Sequence, residues 1–134
     1  MKYFLDTNII SYLMQKNQRI KDKLEQLIKN LNNELYISII TYYELKRGLI
    51  AANATAKLGI LENIILRQFG IVMMDFSMYE KAAEIYAQLK NKGEIIEDDD
   101  IFIGATAFQF DATIITNNPR HLGRIDGLRL EVWN

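Results

Sequence analysis

The chain of 134 residues lacks several of the groups from which functional sites are commonly built. It contains no cysteine, which excludes disulfides, a thiol nucleophile and a cysteine-based zinc site. It contains one histidine, His121, which excludes a histidine-cluster metal site and a nuclease mechanism based on two histidines. Its one proline, Pro119, and its scattered glycines favour continuous helices and strands. A metal centre in this protein would therefore be built from oxygen ligands.

Two further absences bear on location and partners. The sequence has no apolar run of 18 residues, and Asp6 interrupts the N-terminus too early for the apolar region of a signal peptide. We therefore expect a cytoplasmic protein with no membrane segment. The formal net charge is -1, so any contact with nucleic acid needs a local basic patch rather than a general attraction.

The residues that are present indicate a folded α/β chain, with 49% hydrophobic and 25% charged residues, and we predict one domain over residues 1–134. Apolar strand-like segments lie at 2–5, 35–40, 70–75, 112–116 and 128–133. Helical periodicities lie between them, at 8–17, 19–31, 41–52, 55–68, 77–93 and 99–110. This alternation predicts a three-layer α/β/α domain with a mainly parallel central sheet of four to five strands and 128–133 at an edge. Ser77 with Glu80 predicts a capping box for the helix that Gly93 ends.

Oxygen-bearing side chains follow the predicted strands. Asp6 ends the first strand, and Glu44 lies in the first turn of the helix after the second. Three acids, 98–100, begin a later helix, and Thr116, Asn117 and Asn118 follow the fourth strand. Because the carboxyl ends of parallel strands meet at one sheet edge, we expect these four segments to converge there.

Each position also has a purely structural interpretation. Asp6 is a good N-cap, and Thr41 with Glu44 matches a capping box. The acidic run 97–100 is favoured at a helix N-terminus by the dipole, and Asn117 and Asn118 before the proline form an ordinary turn. Taken singly, each position favours the structural interpretation. The coincidence of four segments at one edge favours a site.

Three carboxylates in one pocket repel one another and raise one another's pKa unless a cation neutralises them. Oxygen ligands select hard ions such as Mg²⁺ or Mn²⁺ over zinc. Mg²⁺ held by carboxylates together with a substrate phosphate supports hydrolysis of phosphodiester bonds. The sequence therefore predicts a magnesium or manganese site with nuclease chemistry.

At this point the sequence resembles the PIN-domain ribonucleases, and more narrowly the VapC-type toxins of bacterial toxin–antitoxin pairs. The resemblance rests on FLDTN, TYYELKRG, GEIIEDDDIFIGATA and IITNNPRHLGRIDGLRLEVW, which occur in the family's order from Asp6 to Trp133. Each motif is short, but the ordered set is specific. The resemblance implies the PIN fold.

The resemblance also implies a ligand set, carried over position by position. The first acid falls on Asp6 and the second on Glu44. The third precedes an apolar run, here 101–104, which selects Asp100 from its acidic neighbours. The fourth, often an Asp, falls on Asn118, and this departure supplies less charge, so we expect one tightly bound ion. Thr116 and Asn117 are candidates to bind metal-bound water.

The function implied is that of a Mg²⁺- or Mn²⁺-dependent endoribonuclease, the toxin of a toxin–antitoxin pair. The family implies a homodimer and an antitoxin that covers the acidic site. An unusually apolar third helix, with Tyr42, Tyr43, Leu49 and Ile50, fits either partner. Arg47 and Arg120 are candidates to bind RNA phosphates, although solvated surface charge explains each of them alone.

Two alternatives stay open. The first is a catalytically weak or inactive binding module on the same fold, which the departure at Asn118 favours. The second is a phosphoryl-transfer domain, which fits poorly because a haloacid-dehalogenase-like phosphatase needs an Asp where Asn8 stands.

Overall fold

The structure, a computed structural model, describes residues 1–134 apart from the side chain of Ile64. The strands are β1 Lys2–Leu5, β2 Glu34–Ser38, β3 Gly70–Val72, β4 Thr113–Thr116 and β5 Arg129–Val132. The helices are α1 Thr7–Met14, α2 Gln18–Ile28, α3 Ile39–Ala51, α4 Thr55–Ile60, α5 Leu66–Gln68, α6 Phe76–Lys92 and α7 Asp98–Gln109. A π-helical turn, Leu61–Ile65, joins α4 to α5, and a 3-10 turn, Leu122–Arg124, precedes β5.

The strands form a five-stranded sheet in the order β3-β2-β1-β4-β5, and the recorded pairings are all parallel. The central strand β1 is in register with both neighbours, since Phe4 lies opposite Tyr36 on one side and Ile114 on the other. The predicted parallel sheet, with the last strand at an edge, is therefore confirmed.

Helices cover both faces of this sheet. Phe4 and Ile114 point into a core formed with α6 and α7, where Ile85, Leu89 and Ile101 are buried. Their neighbours along the strands, such as Leu5, point into a second core formed with α1, α2 and α3. Because the inner strands are buried on both faces, they read as continuous apolar runs rather than as alternating patterns. The predicted three-layer arrangement is confirmed.

The second predicted strand, 35–40, is two residues too long at its end. The hydroxyl Oγ of Ser38 accepts from the backbone N–H of Ile40 at 3.0 Å and so begins α3 at Ile39. The capping box proposed for Thr41 and Glu44 is wrong, because Ser38 is the N-cap and Glu44 bonds to a different helix.

The capping box predicted for Ser77 and Glu80 is also wrong. Asp75 is the N-cap of α6 and accepts from the backbone N–H of Met78 at 3.0 Å, while the Ser77 hydroxyl donates to Asp75. The third strand also ends earlier than predicted, at Val72 rather than at residue 75. At the other end of α6, Gly93 adopts the left-handed conformation with φ 69°, and this predicted stop is confirmed.

Other helix boundaries differ by a few residues from the prediction. The predicted helix 8–17 is α1, Thr7–Met14, because Asn17 instead caps α2 by accepting from the backbone N–H of Ile20 at 3.1 Å. The predicted helix 55–68 is interrupted by the π-helical turn. Among the described helices, none has the length and apolar character needed to cross a bilayer.

We expect Gly70→Ala to lower the free energy of unfolding by about 1–3 kcal/mol through overpacking. A Cβ at this position would lie 2.8 Å from Cδ1 of Tyr36, whose ring is held between Phe4 at 5.6 Å and Phe110 at 5.3 Å. Gly48→Ala is the matched control, because its Cβ meets nothing within 4 Å, and it should stabilise α3 by about 0.5–1 kcal/mol. Urea unfolding measures both changes, and equal effects would contradict the packing argument.

Candidate active site at the carboxyl ends of the strands

Asp6 stands where β1 meets α1, with only 7% of its surface exposed. Its backbone N–H donates to the carbonyl of Ile115 at 2.9 Å and so continues the ladder to β4. Its carboxylate caps α1, because Oδ1 accepts from the backbone N–H of Thr7 at 2.8 Å. The second oxygen, Oδ2, accepts from the hydroxyl of Thr116 at 2.7 Å. The capping interpretation of Asp6 is thus correct, and it does not use the whole carboxylate.

Glu44 projects from α3 towards α1 rather than back to the start of its own helix. Its Oε1 accepts from the hydroxyl of Thr7 at 2.7 Å, and Thr7 also lies 3.2 Å from the buried hydroxyl of Thr41. On the other side, Nη2 of Arg47 lies 4.0 Å from Oε2 of Glu44. The residue directly after Asp6 therefore links the first acid to the second.

The three acids at the start of α7 have different surroundings. Asp98 is exposed, and Oδ2 of Asp99 pairs with Nη2 of Arg47 at 3.5 Å. Oδ2 of Asp100 lies 3.1 Å from Nδ1 of His121. Of the three, Asp100 is the acid that faces the same cavity as Asp6 and Glu44.

That cavity has a volume of about 430 Å³ and lies at the carboxyl ends of the strands. It is lined by Asp6, Thr7, Asn8, Ser11, Tyr12, Gln15, Glu44 and Asp100. As far as the structure describes them, the lining residues carry three carboxylates and no basic group. Acids from three distant segments therefore share one water-accessible space.

Burial and mutual repulsion make it costly to ionise these acids. Burial raises the pKa of the Asp6 carboxyl, hydrogen bonds from Thr116 and Thr7 act against it, and the nearby charge of Asp100 raises the pKa further. Burial likewise raises the pKa of Glu44; the Thr7 hydroxyl lowers it, and the charges of neighbouring acids raise it. The site therefore has more negative charge than its own donors neutralise.

The segment after β4 is tied to the site mainly through its backbone and through Thr116. Thr116 is buried, and its hydroxyl accepts from the backbone N–H of Asn118 at 3.1 Å. The amide of Asn117 donates to the carbonyl of Trp133 at 2.8 Å, and its Oδ1 accepts from the hydroxyl of Tyr12 at 3.3 Å. Asn117 thus braces the turn, and the water contact predicted for it stays a prediction.

Asn118 is exposed, and its Oδ1 accepts from the backbone N–H of Arg120 at 3.4 Å. It is not among the described residues that line the acidic cavity. The side chains of Arg120 and Arg47 are both exposed, but Arg47 also lies over the ring of Tyr43 at 5.0 Å and pairs with Asp99 at 3.5 Å. Of the two predicted phosphate-binding residues, Arg47 is therefore the one that lies against acids of the site.

Several lining residues were missed at the sequence level. Thr7, Ser11 and Gln15 recur every four residues, so they share one face of α1 and its C-cap, directly after Asp6. The four-residue spacing of these polar side chains is the sequence signal that could have identified them as lining residues. The contact of His121 with Asp100 had no such signal, because it depends on how the chain turns after β4.

The geometry limits how these acids could hold an ion. Among the described side chains, no group of three acids or histidines is close enough to coordinate one ion directly. Mg²⁺ usually keeps several waters and binds one or two carboxylates plus a substrate phosphate. An anionic, water-accessible cavity lined by carboxylate, hydroxyl and amide oxygens fits the binding of a hydrated ion. It does not fit direct coordination of one ion by three carboxylates.

Comparison with known proteins agrees with this fold. Residues 3–128 match the profile of the PIN domain. The chain is 33% identical to ribonuclease VapC2 of Rickettsia felis, with 100% of this chain and 99% of that protein covered. It is 30% identical to the tRNA(fMet)-specific endonuclease VapC of Salmonella typhimurium, with 99% and 98% covered. The crystal structure of VapBC2 from Rickettsia felis bound to a DNA fragment from their promoter gives a TM-score of 0.88 at 32% identity, with 100% of each chain covered. The chain belongs to the PIN-domain family, within its VapC group.

The raised pKa values give the metal-free protein a defined pH dependence. Between the ordinary titration range of Asp and Glu near pH 4 and the raised folded pKa values, the folded chain binds more protons than the unfolded chain. The contribution of Asp6 and Glu44 to the free energy of unfolding therefore falls as the pH rises through that window.

We expect Asp6→Asn to remove part of this dependence in the presence of EDTA. Relative to wild type, the variant should become more stable as the pH rises from 4.5 to 7.5, because its amide never ionises. Asn keeps an oxygen to accept from the backbone N–H of Thr7. Urea unfolding at both pH values measures the gain, and a pH-independent difference would refute the assignment of buried charge to Asp6.

Proposed function

We propose that this protein is a Mg²⁺- or Mn²⁺-dependent endoribonuclease and the toxin of a toxin–antitoxin pair. One observation carries the proposal: Asp6, Glu44 and Asp100, distant in sequence, line a single cavity at the carboxyl ends of the strands. Relatives that match almost the whole chain are named ribonuclease VapC2 and tRNA(fMet)-specific endonuclease VapC, which supports RNA as the substrate.

Asp6, Glu44 and Asp100 would hold the hydrated ion, directly or through water, together with an oxygen of the scissile phosphate. When bound, such an ion lowers the pKa of a nearby water and stabilises negative charge on the phosphate. Thr7 and Thr116 each donate to a carboxylate at 2.7 Å and so fix Glu44 and Asp6 before substrate arrives.

Glu44 is our choice as the group that accepts the proton of the attacking water. It is more exposed than Asp6, and burial raises its pKa, which makes it a stronger proton acceptor than a free carboxylate. In-line attack by water then leaves a 5′-phosphate and a 3′-hydroxyl. Arg47, held beside Glu44 by Asp99, would bind a neighbouring phosphate of the RNA. Arg120, Asn118, Thr116 and Asn117 stay candidates for further contacts with RNA or metal-bound water.

A catalytically inactive binding module is the alternative, and two observations favour it. A neutral side chain occupies position 118, and the described acids lack a direct three-ligand cluster. The two functions differ in one measurable property, metal-dependent cleavage of RNA.

We expect Asp100→Asn to reduce cleavage of RNA at least about 100-fold, because it removes charge from the cavity at constant volume. Asp98→Asn is the matched control: it is the same substitution on the same helix turn, on an exposed side chain, and it should cleave like wild type. The assay uses tRNA and other RNAs with Mg²⁺, Mn²⁺ or EDTA, followed by analysis of the product ends. Asp6→Asn should give the same loss as Asp100→Asn.

Three results would contradict this prediction. Cleavage that survives EDTA would exclude the metal, and a 2′,3′-cyclic phosphate product would exclude attack by water. Equal activity of the Asp100→Asn and Asp98→Asn variants would remove Asp100 from the site. Failure of the wild-type protein to cut any RNA would favour the binding module.

We also propose an antitoxin that covers the site, as the structures of relatives named as VapBC complexes suggest. A second groove of about 230 Å³ adjoins the acidic cavity, and they share Thr7, Ser11, Gln15 and Glu44. Its far side is formed by Leu45, Gly48, Leu49 and Lys57. A peptide segment in this groove would pass directly over Glu44.

Gly48→Trp should block that groove without disturbing α3, because a Cβ at position 48 meets nothing within 4 Å. We expect affinity for the protein encoded beside this gene to fall at least about tenfold, as for loss of a packed interface contact. Calorimetry measures the affinity, with Gly59→Trp on α4 as the control. Unchanged binding by the Gly48→Trp variant would place the antitoxin elsewhere.

A homodimer through α3 is our remaining proposal. Tyr43 and Ile50 are 53% and 54% exposed, whereas Tyr42 and Leu49 pack against the core beside α1 and α2. The core thus accounts for two of the four apolar residues, and a second copy of the chain would cover the other two.

A further inference from the structure

Each acid of the cavity has a side-chain hydrogen-bond partner from another element, and the partner of Asp100 is of a different kind from the other two. Asp6 accepts from Thr116, and Glu44 accepts from Thr7. The recorded side-chain partner of Asp100 is His121, with Nδ1 at 3.1 Å from Oδ2. The proposed hydrolysis assigns no role to this imidazole.

The fold places His121 next to Asp100 through a contact one helical turn further along α7. Gly104 lies four residues after Asp100, so the two share a face of the helix. A Cβ at Gly104 would lie 2.6 Å from Cδ1 of Ile125 and 4.0 Å from Cδ2 of Leu122, which shows how closely this segment approaches α7. Both Leu122 and Ile125 are buried.

The backbone of the same segment is fixed by its own hydrogen bonds. The backbone N–H of Gly123 donates to the carbonyl of Pro119 at 2.8 Å, and that of Arg124 donates to the carbonyl of His121 at 3.0 Å. The buried side chains on one side and these turns on the other leave His121 little freedom. The backbone of His121 is therefore held close to Asp100, and its side chain, 43% exposed, makes its hydrogen bond to that carboxylate.

We propose that His121 is a positioning residue for Asp100, an inference that rests on the proposed metal-dependent function. The Nδ1–H group donates to Oδ2 and holds the carboxylate in one orientation, which leaves Oδ1 to the ion and its waters. Donors that orient a ligand in this way contribute about 10–100-fold to metal affinity or activity. His121 thus does for Asp100 what Thr7 and Thr116 do for the other two acids.

Titration of the full-length protein with Mn²⁺, without RNA, tests this role by calorimetry. We expect His121→Ala to bind Mn²⁺ about tenfold more weakly than wild type. His121→Asn should bind close to wild type, because its side-chain amide offers a donor near the position of Nδ1. Cleavage of RNA should show the same order, with a larger effect on kcat than on KM.

Lys92→Met is the control for a merely structural role of this segment. Nζ of Lys92 donates to the carbonyl of Arg124 at 3.2 Å and to Oδ1 of Asp126 at 3.1 Å, so the variant loosens the same segment without touching Asp100. Its Mn²⁺ affinity should equal that of wild type. Thermal unfolding in EDTA verifies that every variant folds. If the His121→Ala variant does not fold, His121→Ser is used instead to remove the imidazole.

Several outcomes would overturn the proposal. Wild-type Mn²⁺ affinity in the His121→Ala variant would do so, as would equal weakening by Lys92→Met or by His121→Asn. A raised KM for RNA with unchanged Mn²⁺ affinity would make His121 an RNA contact instead. A wild-type protein that binds Mn²⁺ but cuts no RNA overturns the proposed function alone, because the Mn²⁺ titrations still decide His121. A wild-type protein that binds no Mn²⁺ overturns both.

Discussion

The acidic cavity depends on hydroxyl groups that hold carboxylates in place without adding a positive charge. Thr7 and Thr116 donate to Glu44 and Asp6 at 2.7 Å, which is an ordinary distance for a hydroxyl that donates to a carboxylate. A lysine or arginine in the same positions would have satisfied the carboxylates and removed the charge. Neutral donors fix the geometry and leave the negative potential for a ligand.

The parallel sheet makes this arrangement possible. Its strands deliver residues 6, 44 and 116 to one edge, and α7 brings the fourth segment against them. At Asp6, β1 ends and α1 begins, and at Ser38, β2 ends and α3 begins. Helix capping and site formation therefore take place at the same end of the strands. Asp6 serves both purposes because a carboxylate has two oxygens and the cap occupies one of them.

Much of the architecture was predictable from the sequence, since apolar strands alternating with helical stripes define the layers. The convergence of Asp6, Glu44 and Asp100 was also predictable, because strand ends of a parallel sheet share an edge. Caps were predicted less well. Ser38 and Asp75 replaced the expected capping residues, because several nearby polar side chains compete and tertiary packing decides among them.

Contacts that depend on the path of a loop were beyond the sequence. His121 reaches Asp100 because Leu122 and Ile125 pack on Gly104, and no periodicity encodes that approach. The same limit applies to Asn117, whose amide is engaged by Trp133 and Tyr12 rather than directed at the acids. The position of Asn117 in the motif was clear from the sequence, but its side chain is oriented by the hydrogen bond to Trp133, directly after the last strand.

The pairing of β1 with β4 has a consequence for the order of events during synthesis. Asp6 and Thr116 are 110 residues apart, and β4 is an inner neighbour of the central strand. At about 5–20 residues per second, roughly 5–20 s separate their translation. A growing chain on the ribosome therefore carries its first acid long before Thr116 exists, and the complete centre forms only after β4 has been synthesised.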